Sequence, residues 1–299
     1  MNNIITKFSI KDLENLSGIK AHTIRIWEKR YNILTPSRTD SNIRYYDVKS
    51  LQKLLNVTLL YNAGVKISKI AKYDKHELQS KVREHVSKNE NPDHSVALLK
   101  MAMLNFDQSL FEQTYNQLVA DTSFRTVFLE VFVPILHNIG LQWQSDAIIP
   151  AHERFITNLI MQKLHVNIER AQKIAPVHTD KTYVLYLPVN ETHELGLLYI
   201  HYELLVKGYR SIYLGPSVPI DNLKTVQDSH KRICFISYFT VQPILEDILV
   251  YLKEMNEELL LPANNELWIL GRKTENIVMP PDWKYITKFN AIQDLLNKV

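Results

Sequence analysis

The sequence predicts an α + α/β protein in three blocks: short helices with a hairpin over residues 1–75, a four-helix bundle over 90–175, and a parallel sheet flanked by helices over 180–299. Three observations carry this. The first block consists of short helical patterns broken by turn residues, the second of sustained helical periodicity, and the third of short apolar runs alternating with amphipathic stretches. The 299 residues suffice for two or three units of roughly 100–150 residues each. With 45% hydrophobic and 22% charged residues the composition is that of a globular chain, and no run approaches the roughly 18 apolar residues of a membrane span. Charge interrupts the first residues too early for a secretory signal, and a single cysteine, Cys234, excludes an internal disulfide framework. The expected setting is a reducing cytoplasm, with no membrane partner.

Charge is unevenly divided. Residues 1–75 hold 14 Lys/Arg against 6 Asp/Glu, a net of +8; the remainder holds 21 against 26, a net of −5, within a total of +3. Positive potential gathered on one small unit suits a phosphate-bearing partner.

In that unit Ser9 is placed to cap a first helix, with Asp12 as its acidic partner three residues on. Leu13 and Leu16 face inward, and Ser17-Gly18 ends the helix in a tight turn. A second helix follows over KAHTIRIWEKRY, where Ile24 and Trp27 pack inside while His22, Thr23, Arg25, Glu28, Lys29 and Arg30 decorate the rest. This is a helix-turn-helix, whose second helix enters a major groove of double-stranded DNA and offers basic side chains to phosphates and base edges. Pro36 and the Thr-Asp-Ser-Asn run then set a turn between two short extended pieces, so Arg38 and Arg44 flank a hairpin wing. Arg38, Arg44 and Tyr45 would lie on the sugar–phosphate backbone, positioning the unit without specifying sequence. Asp47 caps the next helix.

The run TIRIWEKRYNILTPSRTDSNIRYY resembles the MerR family, whose pattern is Thr-Leu/Ile-Arg, an aromatic, Glu-Arg/Lys-Arg, then Pro-x-Arg and Arg-x-Tyr. About 70 residues share the likeness, which implies a MerR-type winged helix-turn-helix. Many members dimerise through a long coiled-coil helix directly after the reader; here helix signals break at Tyr73-Asp74 and no sustained heptad follows.

The second block opens after SKNENPDH, where Asn91-Pro92 favours a boundary. Helices are expected near 94–104, 107–120, 122–138 and 150–172; in the third, Phe124, Val127, Phe128, Val131 and Ile135 recur at three- and four-residue spacing. Residues 173–181, with Pro176, read as a linker. In the third block YVLYL (183–187), SIYL (211–214), ICFIS (233–237) and LWIL (267–270) are strands, with KYI (284–286) a weaker fifth. Helical patterns near 194–207, 220–230, 241–259 and 290–298 separate and follow them, so the sheet is parallel and its ligands sit at the carboxyl ends of its strands.

The loop after the first of these strands carries Glu191, His193 and Gly196. A His at a strand's carboxyl end, beside a helix start, is placed to reach a ligand, and Glu191 can accept its other ring N–H. On chemistry alone a surface His in a polar loop is the plainer alternative. The spacing Glu-x-His-x-x-Gly resembles the Asp-x-His-x-x-Gly signature of cobalamin-binding domains. That likeness implies a flavodoxin-like (Rossmann-type) domain with His193 as the lower axial cobalt ligand. The Ser-x-Leu such domains carry about forty residues later becomes Ser237-Tyr238-Phe239, and their Gly-Gly pair becomes Gly271-Arg272. In the second block Trp143 and Glu153 resemble a Trp-x9-Glu-His motif that covers the cofactor's upper face; Arg154 stands where the motif has His, with His152 beside it.

The order of reader, helical cap and α/β domain is similar to the light-responsive cobalamin-dependent repressors of carotenoid genes. It implies a transcriptional regulator and not an enzyme, holding adenosylcobalamin and binding operator DNA as a homo-oligomer (dimer or tetramer) assembled through its C-terminal region. Its cofactor residues would be Trp143, Glu153, Arg154, Glu191, His193, Gly196, Ser237 and Gly271. Three positions depart from that pattern: Gln144 where light-sensing members have a second His, Arg154 in the cap, and Arg272 beside the nucleotide tail's path. They leave open a regulator that has lost cobalamin and answers to protein contacts or another ligand. A cobalamin-dependent methyl-transfer module is the remaining alternative, and the chain lacks room for the roughly 250-residue barrel that usually supplies that chemistry.

Overall fold

In the computed structural model residues 7–39, 41–86, 92–142, 150–228, 232–244, 247–275 and 277–299 are described. The chain divides into two units, Met1–Ile160 and Met161–Val299.

The first unit opens with α1 (Ile10–Ser17), capped as its sequence requires: the Asp12 backbone N–H donates to Ser9 Oγ and the Ser9 backbone N–H donates to the Asp12 carboxylate. Gly18 ends it at φ 73°, a left-handed turn that favours glycine. After α2 (Ala21–Tyr31), strands β1 (Ser37–Arg38) and β2 (Arg44–Tyr45) pair antiparallel as the wing. Asp47 Oδ1 accepts the Ser50 N–H and caps α3 (Val48–Asn62). Leu13, Ile24, Trp27, Tyr46, Leu51 and Leu54 form the core beneath these elements. Leu16 is half-buried only.

Among the described residues no long helix directly follows α3. A single-turn α4 (Ile67–Ile70) leads to α5 (Lys75–Val86), which packs back on α3 and buries Leu78 and Val82. Next, α6 (Pro92–Asn105) also lies on α3, where Gln52 Nε2 donates to the Leu104 carbonyl at 3.1 Å. The reader and the helical block are therefore packed as one unit. α7 (Gln108–Asp121) follows, and the third expected bundle helix is broken into α8 (Phe124–Val127), a π-helical turn (Phe128–Phe132) and α9 (Val133–Gln142). Its apolar face joins Phe111 and Tyr115 in a buried aromatic cluster with Phe128 and Phe132. Then α10 (Pro150–Gln172) runs across the division between the units.

The second unit holds five parallel strands, β3 (His178–Tyr186), β4 (Tyr209–Gly215), β5 (Ile233–Tyr238), β6 (Glu266–Leu270) and β7 (Ile286–Lys288), in the order β4-β3-β5-β6-β7. This is the flavodoxin-like order that the sequence predicts, with a switch point at the carboxyl ends of β3 and β5. α12 (Ile220–Asp228) and α13 (Ile248–Met255) contribute to the apolar layer over Val184, Phe235 and Leu267, while α11 (Leu195–Val206) and α14 (Ile292–Lys298) pack together.

In the second unit three segments differ from expectation, the first being β7, which starts at Ile286 and not at 284. β3 begins inside the expected linker, because the Val177 and His178 N–H groups both donate to the Gly208 carbonyl at 2.9 Å and the His178 ring stacks on Tyr209. The helix expected from 241 starts at Ile248, because Pro243 lacks an N–H and the amides of 240–242 are committed elsewhere.

Candidate functional site

On α2, His22, Arg25, Lys29 and Arg30 are exposed, Thr23 is half-buried, and Ile24 and Trp27 point into the core. His22, Arg25 and Lys29 recur at three- and four-residue spacing and so share one face. In the wing Arg38 stands directly opposite Arg44, and Ser37 opposite Tyr45. Two cations at one rung repel each other, which an anionic backbone would relieve. Arg38 Nη1 donates to Asn42 Oδ1 at 2.6 Å, and Lys7 Nζ lies 4.6 Å from the centre of the Tyr45 ring. The Tyr46 hydroxyl donates to Glu28, tying the wing's root to α2; burial first, then this carboxylate, raises the Tyr46 pKa. Sequence reasoning left Glu28 as decoration, since a tie across 18 residues has no local signal.

At the sheet's switch point Glu191 is fully buried and six groups donate to it. Its Oε1 accepts the Thr192 and His193 backbone N–H and the His193 ring at 2.6 Å. Its Oε2 accepts three successive backbone N–H groups, Thr240, Val241 and Gln242, at 3.0, 2.6 and 2.9 Å. Burial pushes the carboxyl pKa up, but the Gln242, Val241 and His193 amides and the His193 side chain outweigh it and hold the group at about 2. An ionised partner accepts the His193 Nδ1–H, which fixes the ring's orientation and turns Nε2 away from the loop. The His193 side chain is 55% exposed, which leaves that nitrogen accessible.

The other loop residues are placed as follows. Gly196 lies at the start of α11, and a Cβ there would meet the Tyr238 ring at 3.1 Å. Ser237 is fully buried and its hydroxyl closes no hydrogen bond among the described residues, though it lies within electrostatic reach of Tyr186. Gly271 has φ 110°, and a Cβ there would lie 2.5 Å from the Phe239 carbonyl, so glycine permits the loops after β5 and β6 to meet. Arg272 is exposed. Neither Tyr238 nor the 240–242 amides stood out in the sequence, because packing against a glycine and backbone donation carry no residue pattern.

Trp143 and Gln144 lie outside the described residues. Glu153 is half-buried and Arg154 exposed. The buried member of that trio is His152, 4% exposed, its ring 4.9 Å from that of Phe106 and its Nδ1 without a partner among the described residues. Burial lowers its pKa.

These features define a class: a winged helix-turn-helix unit with a cationic outer face, followed by helices and a flavodoxin-like sheet whose ligand edge presents a carboxylate-oriented imidazole. Residues 8–77 match the MerR HTH family regulatory protein model, and residues 96–166 match a B12 binding domain. The chain is 28% identical over 222 residues to the HTH-type transcriptional repressor CarH of Myxococcus xanthus, covering 72% of this chain and 73% of that protein. It is 25% identical over 213 residues to the repressor CarA of the same organism, covering 70% and 68%. The solved monomethylamine corrinoid protein of Methanosarcina barkeri shares the fold at a TM-score of 0.53 and 14% identity, over 67% of this chain and 94% of that one. The chain thus joins a region that matches the MerR helix-turn-helix to one that matches a B12 binding domain, which supports a B12-dependent DNA-binding regulator. No helix among the described residues is long and apolar enough to cross a membrane.

Proposed function

We propose that this regulator is a repressor whose operator affinity is set by cobalamin held at His193. One observation carries the reading: a buried, ionised Glu191 fixes Nδ1 of a half-exposed His193 and leaves Nε2 as a ready ligand at the switch point. The residues present fit the group, since His193 would offer cobalt an imidazole nitrogen already oriented by a buried carboxylate, with the Ser237 hydroxyl buried at the end of β5. Glu191 would orient the ligand, and Glu153 with Trp143 remain the residues proposed for the upper face. Adenosylcobalamin, the form favoured here, would supply a light-labile cobalt–carbon bond. Its binding would assemble copies of the chain on the operator, and illumination would disperse them.

Absorption of the protein reconstituted with adenosylcobalamin in the dark, desalted and scanned, tests this. A retained corrin band at one equivalent, lost in His193→Ala, is expected; no retained band in the intact protein sinks the reading. The position of the Tyr238 ring against Gly196, where it fills space beside the loop, favours a second reading in which the cofactor has been lost. Stoichiometric corrin binding would exclude it.

A further inference from the structure

We infer that a cleft between α3, α5 and the α6–α7 corner binds a small phosphate-bearing ligand, a nucleoside monophosphate by its chemistry. Two cavities of about 620 and 300 Å³ share Gln52, Asn56, Lys75 and Asn105 in their walls. Each lies within the range of small-molecule sites. Asn56 is 6% exposed, yet its Oδ1 has no hydrogen-bond partner among the described residues. A buried amide oxygen left unmatched carries an uncompensated desolvation cost, which a hydroxyl or amine of a ligand would recover. Turning the amide over would offer a donor instead, so the group can serve either edge of a polar ligand.

The cleft has two ends of different chemistry. At one, Lys49, Lys53 and Lys75 are exposed and form no ion pair among the described residues. The two carboxylates of the walls, Asp74 and Asp107, are engaged as helix caps, accepting the Glu77 and Leu110 N–H groups. That end suits a phosphate, which lysine binds as a point charge. At the other end the wall holds Val82, Met101, Leu110 and Phe106, the last 48% exposed although His152 and Phe155 flank its ring. Phe106 also adopts φ 52°, a left-handed conformation that costs a bulky residue energy and that clusters at ligand sites. An open aromatic face takes a planar base. A nucleoside phosphate has both ends, with ribose hydroxyls between them for Asn56 and Gln52. Such a ligand would bridge the reader's α3 to the helical region.

Calorimetric titration of the full chain with AMP and GMP tests this, beside adenosine, guanosine and inorganic phosphate. A monophosphate is expected to bind at submillimolar concentration, with its nucleoside and free phosphate each at least tenfold weaker. The surface substitution Lys75→Glu should weaken it at least tenfold without moving the thermal melt, and Asn56→Leu should weaken it where that variant folds. Saturating duplex DNA should not displace it. No binding at millimolar nucleotide, inorganic phosphate binding as tightly as the nucleotides, or full displacement by DNA would each overturn the inference.

Discussion

Glu191 is acidic, fully buried, and surrounded by donors rather than by a single countercharge. Replacing it with Gln turns one acceptor into an NH2 group facing backbone N–H groups, and we expect a loss of about 3 kcal/mol in urea unfolding of the full chain. The carboxyl is held at about 2 against an ordinary 4.5, so its contribution is complete above pH 4.5 and disappears as pH falls towards 2. His201 adds a second acid-sensitive step. Burial holds its pKa down to about 4 against 6.5, and its Nδ1 pairs with Ser211 Oγ at 2.8 Å. The unfolded chain takes up this proton first, so stability should begin to fall below pH 6.5; this step ends near pH 4, after the Glu191 step has already begun at about pH 4.5. Urea midpoints measured from pH 7 to 3 check both. His201→Gln should remove the upper step and Glu191→Gln the lower one; a flat profile in the intact protein would contradict the assignment. Because Glu191 also orients the imidazole, Glu191→Gln should weaken corrin binding by about 10–100-fold in an absorption titration.

At the scale of elements, the proposed reading of DNA is divided between α2 and the wing. Arg25→Ala should weaken operator binding and alter base preference, since arginine pairs bidentately with guanine. Lys29→Ala and Arg38→Ala should weaken all sequences alike and reduce the salt slope by about 1 each, measured by gel shift at several ionic strengths. Unchanged affinity in all three would refute this placement of the reader. These elements were legible because their determinants are local: Ser9 with Asp12, Asp47 at its cap, and Ile24 with Trp27 on one face. The parallel sheet was legible in apolar runs that alternate with helices, whereas its flavodoxin-like order was implied only by the resemblance to cobalamin-binding domains. The 240–244 segment was not legible. The sequence from 241 suits a helix, and a carboxylate some fifty residues away takes the amides of 240–242 instead. The π-helical turn within the Phe124–Gln142 stretch was hidden too, because a one-residue widening leaves the aromatic spacing nearly intact. At the site, the spacing of Glu191, His193 and Gly196 could be read, whereas the contacts of Tyr238 and the packing roles of Gly271 and Phe106 arise only on folding.

For the whole molecule, the reader's +8 and the remainder's −5 place DNA affinity in one part and leave its control to another. A single winged helix buries limited surface, and no coiled-coil helix follows it, since α5 packs back on α3. Useful operator affinity should therefore require copies brought together through the rest of the chain. Size-exclusion chromatography should show a larger species with adenosylcobalamin in the dark than without it, collapsing on illumination; an unchanged elution volume would remove assembly from the account. The most direct test of the central claim is operator affinity itself, titrated in the dark with and without adenosylcobalamin on a site selected from random duplexes. The account predicts at least tenfold tighter binding with the cofactor, and no such gain in His193→Ala. Equal affinity with and without cofactor would contradict it.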